Sequence, residues 1–61
     1  MRIQRAKETQ AALAKVMADP SPENTAALHR LHARHLLEDG DLGGARRAEI
    51  RAKHAEAAVQ P

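Results

Sequence analysis

Three histidines stand three residues apart near the middle of the chain, as His29, His32 and His35, and a fourth, His54, lies closer to its end. Imidazole binds zinc, nickel and copper, and residues three apart on a helix are neighbours. Each such step also rotates the side chain by about 60° around the helix, so at most two of the three could share one ion. His29, His32 and His35 are therefore weak metal candidates, with packing or a pH-responsive interface as alternatives. We predict no cofactor.

A second group that could do chemistry is basic, and it comprises Arg46, Arg47, Arg51 and Lys53. Clustered cations neutralise the phosphates of nucleic acids. The chain has no aromatic residue that could stack on bases, and Glu49 offsets part of the charge. These four residues define the nucleic-acid contact of an alternative function, against a solvated helix face or an acidic protein partner.

Catalytic groups are scarce. Cysteine is absent, and the hydroxyl side chains are only Thr9, Ser21 and Thr25. No glycine-rich phosphate loop follows a strand, and a chain this short has little room for a water-excluding pocket. We predict that the protein is not an enzyme and has no small-molecule substrate.

The histidine triplet is predicted to lie on a helix over residues 22–39. Ser21 is a favourable N-cap, Pro22 suits the first helical position, and Gly40 suits the left-handed position after the last turn. At about 100° per residue, leucines and histidines interleave on one arc of roughly 160°. We expect this arc, together with two side chains of the preceding helix, to form the core or the interaction face: Leu28, Leu31, His32, His35, Leu36, Leu13 and Met17.

A first helix is predicted over residues 3–18. Apolar or small residues recur there at alternating spacings of three and four, interrupted by one polar Gln10. Asp19-Pro20-Ser21-Pro22 then breaks the helix, because proline disfavours the α conformation of the residue before it. Such a short, stiff connection favours two adjacent antiparallel helices. Leu13 and Met17 are expected to meet the central helix.

A third helix is predicted over residues 42–58, with Asp41 as its N-cap. Alanines at spacings of three and four provide little apolar area, but they allow two helices to approach closely. Gly43 and Gly44 in the first turn are poor helix formers, and we expect them to let another backbone come near. The predicted close-packing seam consists of Ala45, Ala48, Ala52 and Ala55.

The small and apolar positions Ala33, Leu36, Leu42, Ala45 and Ala52, with Gly40-Asp41 at the turn, resemble a single tetratricopeptide-type helical hairpin over about half of the chain. The resemblance implies hairpin geometry only. A helix-turn-helix motif fits poorly, because its second helix would have to bury Arg46 and Glu49.

Composition limits what such a chain can do alone. It has 61 residues, twelve large apolar side chains, no aromatic residue and a net charge of +2. A core this small rarely stabilises a lone chain, so a fold completed by copies of itself or by a partner is favoured. No apolar run could span a membrane, and no apolar stretch follows the basic start as in a signal peptide. We expect a cytoplasmic location, and heavy use of alanine and arginine points to a bacterium or phage.

The prediction is therefore an all-α protein of one small domain, residues 1–61, with three short helices of which the second and third form an antiparallel hairpin. We expect a small non-enzymatic interaction or assembly protein, as a homo-oligomer, an adaptor or a minor subunit. Its partner would be protein, bound through the leucine and histidine arc. The alternative is a small nucleic-acid-binding regulator that uses the basic side of the third helix.

Overall fold

A computed structural model describes residues 2–57 of the chain. It contains three helices, α1 (Arg2–Ala18), α2 (Pro22–Glu38) and α3 (Leu42–Ala57), and α2 and α3 pack closely against each other. The predicted all-α fold and its hairpin of the second and third helices are thus confirmed. The helix boundaries agree with the predicted ones to within a residue wherever the chain is described, and residue 58 lies outside that part.

The start of α2 follows from the local sequence. Ser21 has an extended backbone, with φ −75° and ψ 155°, and its hydroxyl oxygen accepts a hydrogen bond of 3.2 Å from the backbone N–H of Asn24. Pro22 takes the first helical position, where no N–H is needed. The Asn24 side chain also donates to the carbonyl oxygen of Asp19 at 2.9 Å. These bonds fix the angle at which the chain leaves α1.

The turn between α2 and α3 is a Schellman motif. Gly40 lies at φ 85°, its N–H donates to the carbonyl of Leu37, and the N–H of Asp41 donates to the carbonyl of Leu36. The Asp41 carboxylate then accepts from the N–H of Gly44 at 2.9 Å and caps α3. These bonds satisfy the carbonyl groups of Leu36 and Leu37 and the N–H groups of Gly40, Asp41 and Gly44, and the chain reverses within three residues.

The three helices form a single layer with α2 in the middle. Arg5 near the start of α1 pairs with Asp39 at the end of α2, and Arg30 of α2 pairs with Glu56 near the end of α3, so both neighbours run antiparallel to α2. Between residues 2 and 57, α1 and α3 do not contact each other. The Cα envelope measures 38 × 26 × 8 Å, and its thickness is less than the roughly 10 Å diameter of one helix with side chains.

Alanine forms the centre of this plate. Within the described chain every buried apolar side chain is an alanine, and the only buried polar side chain is His35. Ala33, Ala45 and Ala48 form one cluster, against which Leu36 packs from its edge. Small side chains allow α2 and α3 to approach closely, but they remove little apolar area from water. The buried apolar residues are Ala26, Ala33, Ala45, Ala48 and Ala52.

The expectation for α1 needs a correction. Met17 is 77% exposed and Leu13 is 45% exposed, so neither is packed into the layer as predicted. The 3-4 seam that contains them is turned away from α2, because a different arc of α1 is half-buried. That arc consists of Arg5, Glu8, Thr9, Ala12 and Val16.

None of the helices within residues 2–57 combines the length and the apolarity that a membrane span requires.

Candidate functional site

Helix α2 is covered on two nearly opposite sides. Ala33, on one side, belongs to the cluster with α3. Ala27 and Leu31, about half a turn away, line a groove shared with α1. Because the two covered sides are about 150° apart at 100° per residue, two further sides of α2 remain open. The plate therefore has two broad faces, and the chemistry of each can be read from its side chains.

One broad face carries ion pairs that join the helices. Arg34 of α2 binds Glu8 of α1, and Arg30 of α2 binds Glu56 of α3. We call this side the ion-pair face, and define it by Glu8, Arg30, Arg34 and Glu56. Leu37 and Leu42, which are exposed beside the turn, lie on the same side by helical phase.

The opposite broad face is mainly apolar along α2 and the adjoining flank of α1, and basic along α3. On α2 it carries Leu28, His32 and Leu36, whose phase lies away from Arg30 and Arg34. On α1 this face includes one flank of the half-buried arc. The flank lies beyond the edge of the arc that is farther from Glu8, and it bears Leu13 and Met17. His32 is exposed, and Leu28 and Leu36 are half-buried. We call it the Leu/His face, and define it by Leu13, Met17, Leu28, His32 and Leu36.

Two of the seven residues predicted for the interaction face lie elsewhere. Leu31 is half-buried in the groove between α1 and α2, an opening of about 270 Å³ whose seven lining residues include three alanines. His35 is only 9% exposed, and its Nε2 atom has no hydrogen-bond partner among the described residues. Both side chains therefore contribute to packing within the plate, and five predicted residues remain on the open face.

The histidines do not converge. His29 is half-buried, His32 is exposed and His35 is buried, and together they spread over about 120° of α2. His54 is exposed on α3. Within residues 2–57 no three histidine, aspartate or glutamate side chains are gathered as ligands for a metal ion. The weak metal candidates named from the sequence thus gain no support from their geometry.

The alanine stripe of α3 faces α2. Ala45, Ala48 and Ala52 are buried, Ala52 completely, and Ala55 is half-buried. The stripe is therefore internal to the hairpin. It is not a surface that a partner could reach without separating α2 from α3.

The basic residues of α3 are divided between two flanks of the helix. Arg46 and Lys53 lie toward one flank, and Arg47 and Arg51 lie toward the Leu/His face. All four are exposed, and none forms an ion pair with a described residue. They add positive charge to the edge of the Leu/His face but do not form one continuous stripe.

Two of the ion pairs shift pKa values of their members in the direction that favours the charged form. The hydrogen bond to Asp39 raises the pKa of the Arg5 guanidinium, and the bond to Glu56 raises the pKa of Arg30. In return, the Arg30 guanidinium lowers the pKa of the Glu56 carboxyl. These pairs are solvent-exposed, so their main effect is to fix the register between helices.

Sequence reasoning missed these contacts. They join residues between 26 and 34 positions apart, so no local spacing reveals them. The pattern that could have revealed them is a set of opposite charges at matching heights on two antiparallel helices. Arg5 precedes Glu8 on α1, whereas their partners follow the reverse order on α2, with Arg34 before Asp39.

No protein-family model matches this chain, and no significant match occurs among curated proteins or solved structures.

Proposed function

We propose that the chain is a small non-enzymatic interaction or assembly protein that binds another polypeptide through the Leu/His face. One observation carries the proposal. The helices make a single layer whose described interior contains only alanine, glycine and one histidine, while every described leucine stays at least partly exposed. Stable domains bury their apolar side chains between at least two layers. A second layer supplied by a partner would complete this one.

The chemistry of the face supports a protein partner. By helical phase, Leu28 and Leu36 lie one turn on either side of His32, Leu13 and Met17 lie on the adjoining flank of α1, and the charges of α3 lie at the edge. Apolar centres with polar rims are typical of protein interfaces. We extend the proposal to a cytoplasmic location, as expected from the sequence.

Position-specific photo-crosslinking tests the proposal. A photoreactive amino acid at position 32 reports on the Leu/His face, and the same residue at position 15, where Lys15 is exposed beside the groove of the other face, is the matched control. In cells that produce the labelled chain, we expect protein adducts from position 32 and few from position 15. Equal yields, or none from position 32, would contradict docking through this face.

A second candidate, a nucleic-acid-binding regulator, is favoured by one feature. Arg46, Arg47, Arg51 and Lys53 are exposed without ion-pair partners among described residues. Such a regulator would retard DNA or RNA in a gel at low salt, and its affinity would fall steeply as salt rises. Charge reversal at Arg47 and Arg51 would abolish that retardation. A protein-binding plate would retard neither nucleic acid.

A further inference from the structure

We propose that the polypeptide covering the Leu/His face is a second copy of this chain, stacked face to face as a two-layer dimer. The inference rests on the proposed function and names its partner. It also places His32 at the centre of the interface, where it meets the same residue of the second copy.

The area of the plate suits a second copy of the chain. The plate measures 38 by 26 Å, so one broad face covers about 1,000 Å². A stable interface buries about 800 Å² on each partner. Most of the face must therefore be covered, and a single added helix, about 10 Å wide, would leave much of it open. A second copy has the required length, width and flatness.

The central position of His32 suits a symmetric dimer. Two copies of one chain most often associate about a two-fold axis, and the centre of the shared surface then meets itself. His32 lies near the middle of α2, which is the middle helix, and its phase points out of the Leu/His face. Any two-fold axis through that centre brings the two His32 side chains close together. Leu28 and Leu36, one turn before and after, surround them with apolar groups.

Most charged and titratable groups around His32 are basic. His29 and His35 lie on α2 itself, and Asp39 ends α2 and is paired with Arg5. Helix α3 contributes Arg47, Arg51 and His54 at the edge. On the adjoining flank of α1, the described residues Thr9, Leu13 and Met17 are uncharged. No described carboxylate faces the centre. Two protonated imidazoles there would repel each other without compensation, whereas two neutral ones are accommodated.

The experiment is a mass measurement of the purified full chain by light scattering or sedimentation. At about pH 7.5 and concentrations of about 100 µM, where micromolar dimers are largely formed, we expect about 13 kDa, twice the 6.6 kDa of the chain. Histidine changes its charge between pH 5 and 8, so at about pH 5 the dissociation constant should rise at least about tenfold. A single-chain mass at about pH 7.5, or a dissociation constant that does not change with pH, would overturn the proposal.

Substitutions separate His32 from the other titrating groups. His32→Leu should remain a dimer at both pH values. A dimer that persists in acid is a result that an unfolded variant could not produce. His32→Arg should give the single-chain mass at both. The control is His54→Leu, because His54 lies on α3 within about 20° of Arg47 by helical phase, at the edge of the Leu/His face and not at its centre, and it should change the pH response less than His32→Leu does. A response that follows His54, or one that persists in His32→Leu, would refute the placement of His32 on the axis.

Failure of this inference can be distinguished from failure of the proposed function. A chain that is a single molecule in solution, but forms adducts with a different protein from position 32 in cells, would refute self-association and leave the docking face intact. A single molecule without protein adducts would refute both.

Discussion

The Nε2 atom of His35 is buried without a hydrogen-bond partner among the described residues. A buried polar atom that has lost its water and gained no partner costs about 1–3 kcal/mol. His35→Leu replaces the ring with an apolar side chain of similar volume, so we expect the free energy of unfolding to rise by about 1 kcal/mol. Urea unfolding at fixed protein concentration measures it. His54→Leu, at an exposed position of α3, should change it by less than about 0.5 kcal/mol. A less stable His35→Leu would show that the imidazole is satisfied.

The two glycines at the start of α3 provide a matched pair. A Cβ on Gly43 would make only ordinary contacts, 3.6 Å from Arg47 Nη1, whereas a Cβ on Gly44 would lie 2.8 Å from Asp41 Cγ. The nearest neighbours of Gly44 are therefore atoms of its own cap and not, as predicted, a second backbone. Gly43→Ala should stabilise the protein by about 1 kcal/mol through helix propensity.

Gly44→Ala gains the same propensity but displaces the Asp41 cap, which costs about 1 kcal/mol, so its net effect should be near zero or destabilising. Thermal unfolding of both variants gives the comparison. Equal stabilisation by the two alanines would mean that the Asp41 carboxylate moves aside without loss.

At the scale of elements, ion pairs set the register of the two hairpins, and one of them predicts a pH dependence. Arg30 holds the pKa of Glu56 below its ordinary value, so the unfolded chain binds a proton at this carboxyl more readily than the folded chain. The contribution of Glu56 is complete above the ordinary glutamate pKa, near 4.5, and is lost as the pH falls through the depressed value.

Glu56→Gln should therefore lower the midpoint temperature of thermal unfolding at neutral pH. In acid, the midpoint temperatures of the variant and of the natural chain should lie closer together. Because the pair is exposed, salt should reduce the effect. Glu49→Gln is the comparison, since Glu49 is an exposed α3 carboxylate that forms no ion pair with a described residue and acts on Arg30 only through its charge, so its effect should be smaller. An acid-dependent difference of the same size in both variants would argue against the Arg30 contact.

The two hairpins also differ in strength. Helices α2 and α3 pack through buried alanines along most of their length, while α1 rests on α2 through a half-buried arc and exposed ion pairs. Local opening requires less free energy where few apolar contacts are broken. Backbone amides of α1 should therefore exchange with deuterium faster than those in the middles of α2 and α3. Uniform protection of the three helices would indicate that α1 is held as firmly as the hairpin.

At the scale of the whole molecule, flatness is the dominant feature. The Cα radius of gyration is 11.8 Å, whereas a compact chain of this length would have about 10.5 Å. The excess arises because α1 and α3 lie on opposite sides of α2 instead of closing into a three-helix bundle. A bundle would enclose the leucines, while the plate leaves Leu13, Met17 and Leu37 largely in solvent.

Short stretches of sequence determine much of this organisation. Ser21-Pro22 at a helix start, Gly40-Asp41 at a turn and the alanine repeat of α3 each act through neighbours within a few residues, so the three helices, their limits and the second hairpin were predictable. The scarcity of large apolar side chains predicted a core too small to stabilise a lone chain, and this stays a prediction.

Only the tertiary structure decided which side of each helix is covered. Amphipathic periodicity indicates that a helix has an apolar side, but not which neighbour occupies it, and α1 turns an arc of alanine, valine and charged residues toward α2 instead of its Leu13 and Met17 seam. Distant charges such as Arg5 and Asp39, paired across 34 positions, contribute to that choice. The division into an ion-pair face and a Leu/His face follows from the packing of the three helices together, because each helix carries only one strip of either face.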